Sequence, residues 1–229
     1  MDELFSLDDF SGIARLFPLP HLVMFPSVLQ PLHVFEPRYR EMMQDALDDD
    51  NLLTMALLKP TTQVEAIEPL PIYPMTCVGR IIQEERLPDG RYNLLLQGVS
   101  RARIVKEHVT TKLYRSADVD LVEDQIDFSE TERPVLRQQL LERIPQWFAT
   151  QGASMEQIGK LLHSNLSLGT LCDIFSFALP LDLRVKQRLL DEPRIKARVE
   201  LLLGQLPKPD KPDILTNKDA KFPPDFSEN

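Results

Sequence analysis

The histidines and cysteines of this chain are its best candidates for metal binding and nucleophilic catalysis. No two of them stand at the Cys-x-x-Cys or His-x-x-x-His spacing of zinc sites, so the sequence predicts no bound metal. No Gly-x-Ser-x-Gly segment marks a nucleophilic serine, and neither cysteine has the local signature of a catalytic thiol. The residues are His21, His33, His108, His163, Cys77 and Cys172.

Phosphate chemistry is the second class to consider. The chain has 8 glycines, and they form neither a Gly-x-x-x-x-Gly-Lys-Ser/Thr loop nor a Gly-x-Gly-x-x-Gly fingerprint. A P-loop ATPase is therefore excluded, and we predict no catalytic residue and no cofactor. A triad assembled from distant residues stays open, because triads are recognised by geometry and not by sequence order.

Charged side chains near the amino terminus invite a binding hypothesis. Glu36, Arg38 and Arg40 surround the start of a predicted helix. We expect carboxylate and guanidinium to pair with each other near the first helical turn, because each then satisfies the charge of the other. Direct contact with a ligand is the alternative.

A second group of arginines lies on the strands of a predicted hairpin. Strand alternation places Arg101 and Arg103 on one face, and Arg80 lies on the neighbouring strand. We expect these three side chains to be solvated. A ligand-binding role for Arg80 and Arg101 is the alternative.

The elements that must position these residues are short strands in the first half of the chain. Between Leu16 and about Val122, frequent prolines interrupt apolar runs, a pattern typical of a small barrel. A helix should begin at Pro37. Asp89-Gly90 predicts a hairpin turn, and residues 61–74 predict a long mobile loop.

Helical spacing replaces the strands after Asp124. Ser129 and Glu132 fit a capping box, and Pro145 should kink or end the helix that follows. The sequence therefore predicts four segments. They are a flexible leader (1–15), a barrel (16–125), a helical subdomain (126–206) and a disordered tail rich in proline and charge (207–229).

Charge and composition restrict the partners and the compartment. The net charge is −9, and residues 1–125 alone carry 12 basic against 20 acidic side chains. Such a surface repels phosphate backbones, which disfavours nucleic-acid binding. Two separated cysteines in apolar runs favour a reducing compartment, and no apolar run is long enough for a membrane span. We expect a cytoplasmic protein with no membrane partner.

Several motifs, in order, resemble the Lon protease amino-terminal domain. Residues 16–26 and 30–40 resemble its opening, which pairs Pro-Leu-x-x-x-Val-Leu-Phe-Pro with Pro-Leu-x-x-Phe-Glu-x-Arg-Tyr. Val-Gly-Arg-Ile at 78–81 and Gln-Gly-Val-Ser-Arg-Ala-Arg-Ile at 97–104 resemble two of its strands. Lys-Gln-Arg-Leu-Leu-Asp at 186–191 resembles one of its helices.

This resemblance implies an α+β fold, a PUA-like β-barrel of about six strands with one or two short helices, followed by a helical bundle. It implies a non-catalytic polypeptide-binding module, an adaptor or chaperone-like protein that lacks the ATPase and protease domains of full-length Lon. Expected partners are unfolded or tagged polypeptides and a protease or chaperone, and weak homodimerisation is a further expectation. An RNA-binding PUA-like module and a small hydrolase with a scattered site are the alternatives.

The binding candidates divide between an apolar group and a charged group. The apolar residues could also belong to the barrel core, so both interpretations, core packing and ligand binding, remain for them. The candidates are Met24, Phe25, His33, Phe35, Glu36, Arg38, Tyr39, Arg80 and Arg101.

Overall fold

The computed structural model describes residues 7, 10–60, 69–149 and 155–206. In these residues the chain forms six strands and six helices. The strands are β1 (Ile13–Leu19), β2 (Leu29–Val34), β3 (Leu52–Leu57), β4 (Met75–Arg86), β5 (Tyr92–Glu107) and β6 (Arg115–Val122). The helices are α1 (Pro37–Leu47), α2 (Arg133–Ala149), α3 (Met155–Leu162), α4 (Leu168–Ala178), α5 (Leu183–Asp191) and α6 (Ile195–Gln205).

Only some of the predicted segments lie within the described residues. β1 begins at Ile13, inside the range 1–15 predicted as a leader. Residues 61–68 of the predicted mobile loop, and the whole predicted tail at 207–229, lie outside the described residues.

All the strands belong to one sheet, in the order β2-β5-β4-β3-β1-β6. β5 is the organising strand, because it pairs with β2 and β4 and also with β6. β1 runs parallel to β3, and the other pairs are antiparallel. Register shifts between Val78 and Gly79 and between Ile104 and Lys106 mark irregularities, which bend strands and increase their twist.

Local signals fixed several boundaries as the sequence predicted. Pro37 begins α1, where a missing backbone N–H costs no helical hydrogen bond. Gly90 adopts a φ of 83° in the turn between β4 and β5, a conformation that favours glycine. The Glu132 carboxylate accepts a hydrogen bond from the Ser129 backbone N–H at 2.8 Å, as in half of a capping box. α2 does not end at Pro145 but continues to Ala149.

A charge cluster joins the sheet to the helices. Arg101 on β5 donates to both carboxylate oxygens of Asp173 on α4, at 2.9 and 2.6 Å, and to the backbone oxygen of Leu190 at 3.0 Å. Arg198 on α6 donates to both oxygens of Asp124, at 2.8 and 2.6 Å. Arg101 and Asp124 lie 3.2 Å apart, which links the two pairs.

The expectation that Arg101 is solvated is wrong, because only 2% of the residue is exposed. Its neighbour Arg103 points to the same helical side and is solvated, with 46% of its side chain exposed beside Asp191. Burial raises the pKa of the Asp173 carboxyl, and the guanidiniums of Arg101 and Arg198 oppose that shift. The cluster is therefore a desolvated structural contact.

The chain approaches this cluster closely at Gly169 in α4. A Cβ atom there would lie 2.2 Å from Asp124 Oδ2 and 3.0 Å from Arg198 Nη2. Any larger residue would have to displace this pair, so the absence of a side chain lets the helix pass close to it.

Candidate functional site

An exposed row of side chains runs along β2, at one edge of the sheet. Buried and exposed side chains alternate along β2: Val34 faces the core, whereas Leu29 is 50% exposed. Phe35, which follows β2 directly, is 60% exposed. Pro31 and His33 lie exposed between these two. We call Leu29, Pro31, His33 and Phe35 the β2 stripe, and its two largest apolar members are at least half exposed.

The backbone edge beneath this stripe is poorly suited to adding another strand. Gly98 N–H donates to the Val28 oxygen at 2.9 Å, so the alternation of antiparallel pairs leaves the backbone of Pro31 and His33 facing the open edge. Pro31 has no N–H, and the Gln30 side-chain amide donates to the Pro31 oxygen at 2.7 Å. A ligand at this edge must therefore bind mainly through the side chains of the stripe.

His33 is held in a defined orientation within the stripe. Its Nδ1 lies 2.8 Å from Asn93 Oδ1, and its Nε2 lies 3.3 Å from the Arg91 guanidinium. Because the amide oxygen accepts and the guanidinium donates, these contacts fit Nδ1–H as the donor and Nε2 as the acceptor. The ring stacks on Phe35 with a centroid separation of 6.2 Å.

Glu36 and Arg38 pair with each other beside the stripe, as the sequence predicted, whereas Arg40 forms no ion pair within the described residues. Arg38 Nε and Nη2 lie 3.0 and 2.9 Å from Glu36 Oε2. The Arg38 guanidinium also lies 4.6 Å from the centroid of the Tyr39 ring. Both charged side chains are more than one third exposed, at 43% and 38%, so the pair remains accessible to a ligand.

Three other predicted binding residues form the core beneath this surface. Met24 is 1% exposed, Phe25 0% and Tyr39 4%. The Tyr39 hydroxyl donates to the Pro18 oxygen at 3.1 Å, and its ring lies 4.3 Å from that of Phe17. These residues support the surface and do not reach solvent.

Arg80 and Arg101 are not members of the stripe, and both side chains already have partners. Arg80 Nη1 donates to the Asp50 backbone oxygen at 3.3 Å, and Arg101 belongs to the charge cluster. The structure thus gathers His33, Phe35, Glu36 and Arg38 on one surface.

A shallow pocket that the sequence did not reveal adjoins the Phe35 end of the stripe. Its volume is about 380 Å³, and we call it the arginine pocket. Arg40 comes from α1 and Arg86 from the end of β4, so only the fold brings them together. The lining residues are Pro37, Arg40, Glu41, Gln44, Arg86, Gly90 and Tyr92.

A larger concave surface lies on the helical side of the molecule. This helical groove has a volume of about 700 Å³ and contains Ile126, which is 67% exposed. Arg137 lines it but donates to the backbone oxygens of Leu162 and Leu166, at 2.8 and 2.9 Å. The groove therefore presents a second exposed apolar side chain, Ile126, which can serve as a control site for binding at the stripe.

The chain matches a family model over residues 13–208, described as the substrate-binding domain of ATP-dependent protease La (Lon). The chain belongs to the Lon substrate-binding domain family. This Lon substrate-binding domain is 28% identical over 202 residues to a Lon protease of Dictyoglomus thermophilum, covering 86% of this chain and 24% of the relative. It is 28% identical over 226 residues to Lon protease 2 of Myxococcus xanthus, covering 94% of this chain and 26% of the relative. It thus spans about a quarter of the length of these curated relatives.

Solved structures show the same fold. A Lon N-terminal domain protein from Xanthomonas campestris superposes with a TM-score of 0.61 at 24% identity, covering 85% of this chain and 99% of that one. The N-terminal domain of Mycobacterium avium complex Lon protease gives a TM-score of 0.65 at 15% identity, covering 84% and 96%. Both the β2 stripe and the arginine pocket lie within the residues that the Lon model matches.

The described part of the chain contains neither a cluster of metal ligands nor a helix that could span a membrane. In that part of the chain, no group of three or more histidine, cysteine, aspartate or glutamate side chains is arranged to hold a metal ion. None of the helices described there is long and apolar enough to cross a bilayer.

Proposed function

We propose that this Lon substrate-binding domain binds unfolded polypeptides at the β2 stripe, without catalysing a reaction. The observation that carries the proposal is the exposure of Leu29 and Phe35, at 50% and 60%, on one edge of the sheet. The family description as a substrate-binding domain supports the same reading. Exposed apolar side chains that a ligand can cover are a common mark of an interaction surface.

The stripe has the chemistry that promiscuous recognition of unfolded chains requires. Covering a large apolar side chain contributes about 1.5–3 kcal/mol, from which the ordering of the ligand must be subtracted. A few such contacts correspond to dissociation constants of roughly 1 μM to 1 mM. Because Pro31 and Gln30 obstruct the backbone edge, recognition depends on apolar side chains of the ligand and little on its sequence.

The predicted residues divide into two roles under this proposal. His33, Phe35, Glu36 and Arg38 contact the polypeptide, since they share one accessible surface. Met24, Phe25 and Tyr39 hold that surface from beneath. We also propose that the sheet is the small barrel implied by the sequence, which is supported by the pairing of β5 with both β4 and β6.

The proposed role in the cell is that of an adaptor or chaperone-like protein. An accessible apolar stripe allows reversible capture of exposed segments and needs no chemistry at the site. A protease or a chaperone would then act on the captured chain.

Fluorescence anisotropy with a labelled Gly/Ser-rich peptide that carries Leu-Leu-Phe tests the proposal. Phe35→Ser should weaken binding by about tenfold, because one large apolar contact is lost. Ile126→Ser in the helical groove is the matched control, since Ile126 is exposed to a similar extent, 67% against 60% for Phe35. Circular dichroism should show that both variants remain folded, because exposed substitutions change stability little.

Three results would contradict the proposal. Equal binding of a Gly/Ser peptide without apolar residues would exclude apolar recognition. Loss of binding in Ile126→Ser alone would move the site to the helical groove. Unchanged binding in Phe35→Ser would remove the stripe from the site.

A further inference from the structure

The arginine pocket holds two cations that the described part of the chain leaves without an anionic partner. Among the described residues, neither the Arg40 nor the Arg86 side chain forms an ion pair or a side-chain hydrogen bond. The Arg86 guanidinium lies over the Tyr92 ring, 5.8 Å from its centroid. Arg38 and Arg91 nearby are both paired, with Glu36 and Asp89. Two unpaired guanidiniums in one pocket are unexpected in a chain with a net charge of −9.

The acidic residue in the pocket does not neutralise them. Glu41 lines the pocket, but its Oε2 accepts a hydrogen bond from the Leu113 backbone N–H at 3.2 Å. Its Oε1 lies 3.9 Å from the Lys112 ammonium. The first turn of α1 contains no acidic residue that could pair with Arg40.

The tight turn between β4 and β5 positions one of the two cations. A Cβ atom on Gly90 would lie 2.2 Å from Arg40 Nη2, so the absence of a side chain lets this guanidinium lie against the turn. On the floor of the pocket, the Tyr92 hydroxyl donates to Gln44 Oε1 at 3.3 Å. The pocket therefore presents guanidinium donors on a supported floor.

The arginine pocket lies close to the β2 stripe. Arg91, next to Gly90 in the turn, reaches His33 Nε2 at 3.3 Å. Pro37 lines the pocket two positions after Phe35. A short extended peptide covering Phe35 can thus place its next group over Arg40 and Arg86.

We propose that the arginine pocket binds a carboxylate of the polypeptide that covers the β2 stripe. The preferred ligand then carries an acidic group beside apolar residues, which goes beyond general apolar recognition and rests on the proposed function. The planar guanidinium fork matches a carboxylate and can hold it with two parallel hydrogen bonds. Two unpaired guanidiniums also favour a carboxylate over a neutral amide by direct charge attraction.

The experiment compares labelled peptides that differ only in this group. Each carries Leu-Leu-Phe in a Gly/Ser frame. In the first pair, one peptide ends in a free carboxylate directly after Phe and the other ends there in an amide. In the second pair, one peptide has Asp after Phe and the other has Asn, and both end in an amide. The first pair tests a terminal carboxylate, and the second pair tests a side-chain carboxylate.

In the wild-type protein, at least one carboxylate peptide should bind roughly fivefold more tightly than its neutral counterpart, as expected for an accessible ion pair. This preference should shrink as salt is raised, since exposed charges are screened. It should disappear in Arg40→Gln/Arg86→Gln, while the neutral peptides keep their affinity. Arg184→Gln, an exposed arginine on α5, is the matched control and should keep the preference.

The outcomes separate this inference from the proposed function. Equal binding of charged and neutral peptides by the wild-type protein would overturn the carboxylate site and leave apolar binding intact. A preference that survives in Arg40→Gln/Arg86→Gln would also overturn it. If single-stranded RNA binds more tightly than the peptides, and Arg40→Gln/Arg86→Gln abolishes that binding, the pocket would be a phosphate site and not a carboxylate site. Failure of every peptide to bind would overturn the proposed function and this inference together.

Discussion

Replacing Arg101 with methionine should destabilise this protein strongly, although the substitution keeps the length and apolar character of the side-chain stem. The guanidinium is 2% exposed and makes four short polar contacts, to Asp173, Asp124 and the Leu190 backbone oxygen. Its removal leaves Asp173, only 3% exposed, with the Nε of Arg198 at 3.3 Å as its remaining cationic partner. Breaking a buried pair in this way costs about 3–5 kcal/mol.

Urea denaturation followed by circular dichroism measures this loss. With a slope of about 2 kcal/mol per M, a loss of 3–5 kcal/mol lowers the midpoint by roughly 1.5–2.5 M urea. Arg103→Met is the control, because Arg103 lies two positions along the same strand and faces the same helices. Its side chain is 46% exposed and its partner Asp191 52%, so its loss should cost less than about 1 kcal/mol.

The double variant Arg101→Met/Asp173→Leu tests the cause. It removes both charges of one pair and keeps the bidentate contact between Arg198 and Asp124, at 2.8 and 2.6 Å. It should therefore be more stable than Arg101→Met alone, because no uncompensated carboxylate remains buried. Equal losses in Arg101→Met and Arg103→Met would refute the reasoning, as would a double variant less stable than the single one.

Three further predictions concern packing and ionisation. Gly169→Ala should lower the free energy of unfolding by about 1–3 kcal/mol through overpacking. Gly204→Ala, where an added Cβ meets nothing within 4 Å, should raise the free energy of unfolding by about 0.5–1 kcal/mol. Chemical denaturation measures both variants, and a change of the same sign in both would contradict this prediction. Burial raises the pKa of Tyr114 to about 12, so ultraviolet titration should show that Tyr114 ionises late. Since Tyr114 ionises at a lower pH in the unfolded chain than in the folded protein, the free energy of unfolding should fall as the pH rises from about 10 to about 12. A denaturation midpoint that does not change over this pH range would count against the prediction. Burial raises the pKa of Cys77 and Cys172, the latter to about 12, so both thiols should react with a disulfide reagent only after unfolding; fast labelling of the native protein would disprove this.

Most of the fold was readable from the sequence because its signals are local. Proline at a first helical position, the Asp89-Gly90 turn and the helical spacing after Asp124 depend on neighbouring residues only. The order of motifs between residues 16 and 206 indicated the Lon family for the same reason. The Glu36–Arg38 pair of the candidate site was likewise predictable, because its members lie two positions apart.

The sequence by itself therefore determined the family, several element boundaries and the absence of P-loop and zinc-spacing motifs. Only the tertiary structure separated Arg101 from Arg103, which share residue type, strand and face. The carboxylates that bury Arg101 come from 23 and 72 positions away, and no local pattern records their approach. The same holds for the candidate site, since the sequence allowed Phe35 to be a barrel-core residue, and only the sheet order places β2 at an edge. Arg40 and Arg86 likewise share a pocket only because α1 packs beside the end of β4.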